Sequence, residues 1–392
     1  MKIKIGVLFG GKSVEHEVSV ITGLQAIENM DKNKYDIIPI YMTKTNEMYV
    51  GKDIGNIEKY KNIPGLLSSS ERVVISGDNG RAQILRYKTS PFKSNVYDYF
   101  DIAFPIVHGT DVEGGALYGF FKILNIPCVG SDILSSSISM DKYMAKCILK
   151  EKDIPVLDCL CFDLKEYKTN LDGIKKSIID KFGFPVIVKP VDSGSSVGIS
   201  IAKNEKELEE SIDEAFKYSK RILAEHAISN MREINCSVLG DYEYCMASEC
   251  EEPIKSDEIL SYKDKYVSGG KKIGGEKGMN VSGARLPADI PEDIKDAIQD
   301  LAQKTFRALG CTGVVRIDFM IDKDINKIYV NEINTIPGCL SFHLWRATNL
   351  QYKDLLNNLI DITLKRKREE DSILYSFDSN ILQNISLTKC NK

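Results

Sequence analysis

Two carboxylates, an amide and an arginine are spaced within residues 314–338 (VVRIDFMIDKDINKIYVNEINTIPG) so that a single hairpin would gather them. Side chains alternate faces along a strand. Arg316 and Asp318 therefore share one face of a first strand, and Glu332 and Asn334 share a face of a second, across a polar turn at 322–326. Hard oxygen donors without His or Cys suit magnesium, which takes few protein ligands and completes its shell with water and phosphate. Many charged hairpin faces are only solvated surfaces. Asp318, however, stands inside an apolar strand, and Asn334 runs straight into Thr335-Ile336-Pro337-Gly338, whose N–H groups can turn toward an anion. The stretch reads as a metal–phosphate site.

Other residues of the same chemistry lie upstream. Lys189 ends an apolar strand and precedes the small-residue loop 193–198 (SGSSVG), a composition that closes over phosphates with N–H and hydroxyl groups or serves as a plain flexible turn. Glu225 ends one strand and Glu233 stands on the next; acids at such places take ribose hydroxyls or simply face water. His108 sits at the C-terminal end of a buried strand, where parallel sheets meet their ligands, although a lone His there is often structural. Residues 255–285 form a long charged loop punctuated by glycine and holding Lys265 and Tyr266. A loop of that length inside a compact domain is either a working lid or disordered.

The elements that must position these groups follow from the pattern. Residues 3–9 read as a strand, 15–30 as an amphipathic helix and 37–41 as a second strand, a βαβ beginning. Residues 43–97 are polar and irregular and read as an insertion. Helices are expected at 116–124, 138–150, 205–218, 291–309 and 352–365, leaving a charged tail from 366. The segment Gly6-Val7-Leu8-Phe9-Gly10-Gly11-Lys12-Ser13 matches the phosphate-loop pattern letter for letter. Its apolar residues belong inside a strand rather than wrapped around phosphate, which argues against that reading.

At 392 residues, with 43% hydrophobic and 28% charged residues, the chain is an ordinary globular protein of two or three domains. A formal net charge of −4 argues against a general nucleic-acid binder. No run reaches the ~18 apolar residues of a membrane span, and the start reads as a strand rather than a secretory signal. The 10 cysteines contain no C-x-x-C pair, so buried thiols in a reducing cytoplasm are expected.

Taken in order, these pieces resemble the D-alanine–D-alanine ligase family of the ATP-grasp superfamily from about residue 3 to 365. The matching residues are 10–19 (GGKSVEHEVS), His108-Gly109 followed by Glu113-Gly114-Gly115, Ser139-Met140-Asp141-Lys142, Lys189-Pro190 with 194–198, Lys265-Tyr266, and Arg316-Ile317-Asp318 with 332–338 (EINTIPG). The resemblance implies an α/β and α+β chain: an N-terminal parallel-sheet domain (1–130, with the insertion 43–97), then a two-part ATP-grasp fold. Its central subdomain would cover 131–226 and its C-terminal subdomain 227–366 with the lid 255–285, before a tail at 367–392.

The implied reaction uses ATP to phosphorylate one D-alanine, and the amine of a second attacks the acyl phosphate, giving a dipeptide for peptidoglycan and cell-wall synthesis. The resemblance puts Lys142, Lys189, Ser196 and Lys265 on the nucleotide phosphates and Glu225 and Glu233 near the adenosine. Asp318, Glu332 and Asn334 would hold two Mg2+ ions, with Mn2+ as a substitute. It puts Glu15 on the first ammonium beside Ser195 and Tyr266, makes His108 a substrate residue, and sets Arg316 and the Gly338 N–H at the oxyanion. A cytoplasmic homodimer, with no nucleic acid or membrane partner, is expected.

The chain departs from the family pattern in two places. After Gly338 the family continues Met-Thr-Ser-His-Ser-Leu, whose last Ser holds the acceptor carboxylate; here Cys339-Leu340-Ser341-Phe342-His343-Leu344-Trp345 puts His343 at that position. Trp345 is expected to reshape the pocket, which leaves room for D-serine, D-lactate or another amino acid as acceptor. Tyr266 in place of His weighs against lactate. The loop 267–285 is also more basic and glycine-rich than is usual. A phosphate-loop hydrolase using Lys12 and Ser13, and a nucleotide-binding regulator without ligase activity, are the readings outside this class; the second would have no use for Arg316.

Overall fold

The computed structural model describes residues 2–88, 94–109, 113–194, 196–254, 284–376 and 379. The lid expected at 255–285 lies outside the described residues apart from Ala284 and Arg285, and so do Ser195, Lys265, Tyr266 and most of the tail.

The strands of the described residues form three sheets. The first contains β1 (Ile3–Gly10), β2 (Tyr35–Met42), β3 (Met48–Val50), β4 (Glu71–Asp78), β5 (Arg81–Arg86), β6 (Val96–Phe100) and β7 (Ile102–Ile106), in the order β6-β5-β4-β3-β2-β1-β7. Only β2-β1-β7 is parallel; β3 to β6 are added antiparallel. The expected N-terminal parallel sheet is therefore mixed, and the segment read as irregular supplies its antiparallel half. The turn between β4 and β5 is Asn79-Gly80, both with positive φ, the pairing that suits a tight hairpin. Phosphate-loop geometry is ruled out at residues 6–13, because Val7, Leu8 and Phe9 are fully buried within β1.

The second sheet holds β8 (Cys159–Asp163), β9 (Val186–Pro190), β10 (Ser200–Ala202) and β11 (Arg221–His226), ordered β10-β9-β11-β8. One face, with Val186, Val188, Ile222 and Ala224, is buried beneath the helices Leu171–Phe182 and Glu205–Ala215. Lys189 and Glu225 belong to the other face.

The third sheet comprises β12 (Met231–Gly240), β13 (Cys245–Pro253), β14 (Ala284–Arg285), β15 (Gly313–Asp322) and β16 (Lys327–Asn334), ordered β14-β13-β12-β15-β16. Residues directly opposite in an antiparallel ladder share a face, so the register sorts this sheet into two. Ile234, Cys236, Val238, Val315, Ile317, Phe319 and Ile333 pack with the helices Lys142–Glu151 and Glu292–Ala308. The opposite face carries Glu233, Asn235, Ser237 and Leu239 on β12 against Met320, Asp318, Arg316 and Val314 on β15. It is polar at one end and apolar at the other.

The apolar end joins the core of the first sheet. Leu239, Val314, Leu340, Trp345, Leu355, Leu356, Leu359 and Ile360 cluster with Ile5, Val7, Phe9 and Phe104. The helix Tyr352–Asp371 thus seals the N-terminal sheet, each fully buried Leu or Ile contributing ~1.5–3 kcal/mol. That helix does not stop near Lys365 as expected. Good helix formers, i,i+4 pairs Lys365–Glu369 and Lys367–Asp371, and hydrogen bonds from Arg366 to the carbonyls of Gly130 (2.7 Å) and Cys128 carry it onward.

Candidate active site

The expected hairpin forms as β15 and β16, with Arg316 opposite Asn334 and Asp318 opposite Glu332. A bulge follows: Phe319 faces Val330, so Asn331 is the extra residue. The Arg316 guanidinium grips Asp318 with both prongs, Nε to Oδ1 at 2.6 Å and Nη2 to Oδ2 at 2.7 Å, and Asn334 Nδ2 donates to Oδ2 at 3.3 Å. The Asp318 carboxyl is pushed up to about 6, raised by burial first and also by Glu332 and Glu233, with Arg316 opposing the rise. Burial opposes the charge on Arg316 as well, yet Asp318 holds that charge firmly in place. A concentration of acidic charge around one buried carboxylate is what a cation would relieve. The donor set is all oxygen, as magnesium requires. Among the described residues no group of three or more His, Cys, Asp or Glu side chains could enclose a metal alone, so water and phosphate would complete the shell.

Cations flank this face. Lys142 Nζ lies 3.8 Å from Glu332 Oε2 and donates to the Ser193 carbonyl at 2.7 Å. Its helix is started by Asp141, whose side chain accepts from Met144 N at 2.9 Å and pairs with Arg221. On the second sheet Glu225 is clasped by two ammonium groups, Lys189 at Oε1 and Lys146 at Oε2 (2.8 Å), with all three side chains nearly inaccessible. Burial alone would raise the Glu225 carboxyl; the two lysines instead hold it down at about 2. Lys189 also reaches Asn331 Oδ1 at 3.4 Å, so the bulge ties the second sheet to the third. One buried carboxylate between two buried lysines leaves an excess positive charge beside the third sheet.

The small-residue loop approaches Glu15. A Cβ built on Gly194 would come within 3.4 Å of Glu15 Oε2, and Glu15 itself precedes the helix His16–Asn29. Ser196 holds a positive φ of 59° in this loop. Gly198, with φ +76°, leaves no room for a side chain against Pro190 and Tyr218. Ser195, Lys265 and Tyr266 cannot be placed relative to these groups, because they lie outside the described residues.

His108 is buried and both ring nitrogens are engaged: Nδ1 with the Ile336 carbonyl at 2.9 Å, Nε2 with Thr22 Oγ1 at 3.4 Å. Burial lowers its pKa, favouring the neutral ring. A carbonyl only accepts, so Nδ1 carries the proton and the Thr22 hydroxyl donates to Nε2. The Thr22 oxygen in turn accepts from Cys339 N at 3.4 Å. Glu113 accepts two backbone N–H groups, Gly109 N and Ile336 N, each at 3.2 Å. Burial and the charge of Glu15 push its carboxyl up to about 7. Gly338 borders open space, a Cβ there meeting nothing within 4 Å. Directly after it, Cys339, Leu340 and Ser341 all hold φ of 51–52°, a left-handed turn without glycine.

His343 stands in the first turn of the short helix Phe342–Ala347, and its Nε2 meets Glu251 Oε2 at 2.7 Å. Asn235, opposite Asp318, donates to Glu251 Oε1 at 3.4 Å. Burial would raise Glu251, but His343 first and Arg316 after it draw the carboxyl below its ordinary value. His343 therefore belongs to the polar face through Glu251. Trp345 does not reshape a pocket as expected. It is fully buried, packed in the core shared with the first sheet, and its indole N–H donates to Ser237 Oγ at 3.1 Å.

The profile described as D-ala D-ala ligase C-terminus matches residues 148–361, and that described as D-ala D-ala ligase N-terminus matches residues 4–131. The chain belongs to the D-ala D-ala ligase family. A family relative, the D-alanine–D-alanine ligase of Thermosipho africanus, is 39% identical over 97% of this chain and 98% of its own length. Among solved structures, the D-alanine–D-alanine ligase of Coxiella burnetii is 29% identical with a TM-score of 0.77, covering 94% of this chain and 96% of that one. The VanG D-Ala:D-Ser ligase of Enterococcus faecalis is likewise 29% identical, with a TM-score of 0.76 over 93% and 100%. The three sheets are those of an ATP-grasp ligase of this family.

Several residues that the structure brings into contact with these groups were not singled out from the sequence. Lys146 could have been found, because it stands four residues after Lys142 on one helix face. Glu251 could have been found by alternation along β13. Thr22 and Asn331 gave no signal: one is a polar residue in an apolar helix face, the other the odd residue of a bulge.

Proposed function

We propose that this chain joins two molecules of D-alanine at the expense of ATP, through an acyl-phosphate intermediate, to make the dipeptide used in peptidoglycan precursors. The observation that supports it most directly is the Arg316–Asp318–Asn334–Glu332 face, where a guanidinium stands among two carboxylates and an amide. A nucleotide-binding protein without ligase activity would not need Arg316 in that place.

Lys142, Lys189, Ser196 and Lys265 neutralise and seat the nucleotide phosphates, and Glu225 and Glu233 serve the adenosine. Lys146 helps to keep Lys189 aligned through their shared partner Glu225. Asp318, Glu332 and Asn334 would hold two magnesium ions, or manganese in their place, which would neutralise the phosphate charge. Glu15, with Ser195 and Tyr266, receives the ammonium of the first D-alanine, and the carboxylate of that D-alanine attacks the γ-phosphorus as ADP leaves. The amine of the second D-alanine then attacks the acyl carbon. Arg316 and the Gly338 N–H stabilise the oxyanion until phosphate departs, an arrangement fixed before reaction and therefore effective. His343, seated by Glu251, receives the acceptor carboxylate. Closure of the 255–285 loop would exclude water from the acyl phosphate.

The enzyme acts in the cytoplasm as a homodimer, a reading that rests on the family resemblance; none of the described helices is long and apolar enough to cross a membrane. Phosphate release with ATP and magnesium tests the reaction, first with D-alanine alone and then with D-alanine paired with D-serine or D-lactate. Release with D-alanine alone, giving the dipeptide, is expected. Release only with a mixed pair would transfer the acceptor assignment to that partner, and none with any pair would overturn the ligase reading.

A further inference from the structure

The peptide stretch that carries Gly338 is held from both sides by residues of the N-terminal sheet domain. Ile336 is gripped at both of its backbone polar groups: its N–H by the Glu113 carboxylate (3.2 Å) and its C=O by His108 Nδ1 (2.9 Å). On the far side of Gly338, Cys339 N–H is received by Thr22 Oγ1 (3.4 Å), the hydroxyl that also serves His108 Nε2. Glu113 is anchored in turn by Gly109 N–H (3.2 Å), where a Cβ would collide with the Ser13 hydroxyl. The remaining chain between these holds is Pro337, whose φ is fixed by its ring, and Gly338, which has no side chain to lock it. Beyond it lies the left-handed Cys339–Ser341 turn, a conformation that non-glycine residues keep only under external constraint.

We infer that Glu113 is a positioning residue for the oxyanion donor: with His108 and Thr22 it forms a clamp that fixes the direction of the Gly338 N–H. The inference deepens the ligase reading above and rests on it for its kinetic consequence. It assigns His108 to the clamp and not to direct substrate contact. The hydrogen-bond bookkeeping is complete with a neutral His108, each donor meeting one acceptor around the stretch. A carboxylate at residue 113 is needed because both groups it meets are donors. An amide in its place would set its own NH2 against one of them, whereas the carboxylate accepts both.

The clamp is tested with Glu113→Gln and Thr22→Val, the second compared with Thr22→Ser, which keeps the hydroxyl. Hydrogen exchange at the Ile336 and Cys339 amides of the resting protein gives a readout that needs no turnover. Both amides are expected to lose protection in Glu113→Gln and Thr22→Val and to keep it in Thr22→Ser. In turnover, kcat should fall ~10- to 100-fold, less than the ~100- to 1000-fold for deleting an oxyanion donor outright, because the donor is misdirected and not removed. KM for ATP should be unaltered. The affinity of a phosphinate mimic of the tetrahedral intermediate should weaken by the same factor as kcat/KM. Unchanged protection at both amides, or a loss of kcat with undiminished phosphinate affinity, overturns the clamp. Absence of turnover in the unmutated enzyme overturns the ligase reading instead, and leaves the exchange result to decide the clamp.

Discussion

Trp345 donates its indole N–H to Ser237 Oγ, and Ser237 lies directly opposite Arg316 in the ladder between β12 and β15. The indole thus supports the strand that faces the guanidinium, from within the core, and has no access to substrate. Trp345→Ala is expected to cost ~3–5 kcal/mol by chemical denaturation while leaving the choice of amino acids as it was. Trp345→Phe, which keeps most of the volume and leaves Ser237 without its donor, should cost ~1–3 kcal/mol. A change of acceptor in Trp345→Phe would contradict the core assignment.

Removal of Arg316 tests the oxyanion role. Arg316→Ala should lower kcat ~100- to 1000-fold, by analogy with the loss of a single preorganised donor. Binding of a non-hydrolysable ATP analogue should survive, since the lysines proposed for the phosphates stand elsewhere, Lys142 on the helix Lys142–Glu151 and Lys189 on β9. Asp318 is left without its bidentate partner, so melting should be compared in parallel.

Glu225 is the counter-charge for two buried lysines. Glu225→Gln should destabilise the protein by ~3–5 kcal/mol, the usual cost of stranding a buried charge by removing its partner. The pH dependence has a definite sign. A carboxyl held at about 2 when folded and returning to ~4.3 when unfolded contributes fully above the second value. That contribution is lost as pH falls through the interval toward the first. Urea titrations between these limits should show a slope in the unmutated protein that is reduced in Glu225→Gln.

Metal dependence gives a further expectation. Chelation of magnesium should stop phosphate release, with recovery on adding magnesium or manganese. Asp318→Asn should raise the magnesium concentration needed for half-maximal rate. A variant whose metal requirement matched the parent would remove Asp318 from the ligand set.

The acceptor end is probed by Glu251→Gln. With its ionic partner gone, His343 should be less well seated, so KM for the acceptor should rise more than KM for ATP. Steady-state kinetics in which both constants change together would instead point to a general disturbance of the sheet.

Much of the site could be read from the order of residues. Alternation along two strands was enough to collect Arg316, Asp318, Glu332 and Asn334, because neighbouring residues of a sheet meet in a fixed pattern. The antiparallel half of the first sheet was missed even though Asn79-Gly80 announces a tight hairpin; the flanking strands are too polar to reveal their buried sides by hydropathy. Trp345 was misjudged because proximity to His343 along a helix says nothing of which side each presents. The Glu113 and Thr22 contacts to residues 336–339 span more than two hundred positions, and no local pattern encodes such pairings.

The shared core of β1 and the helix Tyr352–Asp371 has a consequence for how the protein is made. Ile5, Val7 and Phe9 are synthesised long before Leu355, Leu356 and Leu359, which help to cover them. At ~5–20 residues per second, the first sheet waits tens of seconds with one side incompletely shielded. During that interval the nascent chain presents an apolar surface suited to chaperone capture, and release becomes favourable once the final long helix can dock.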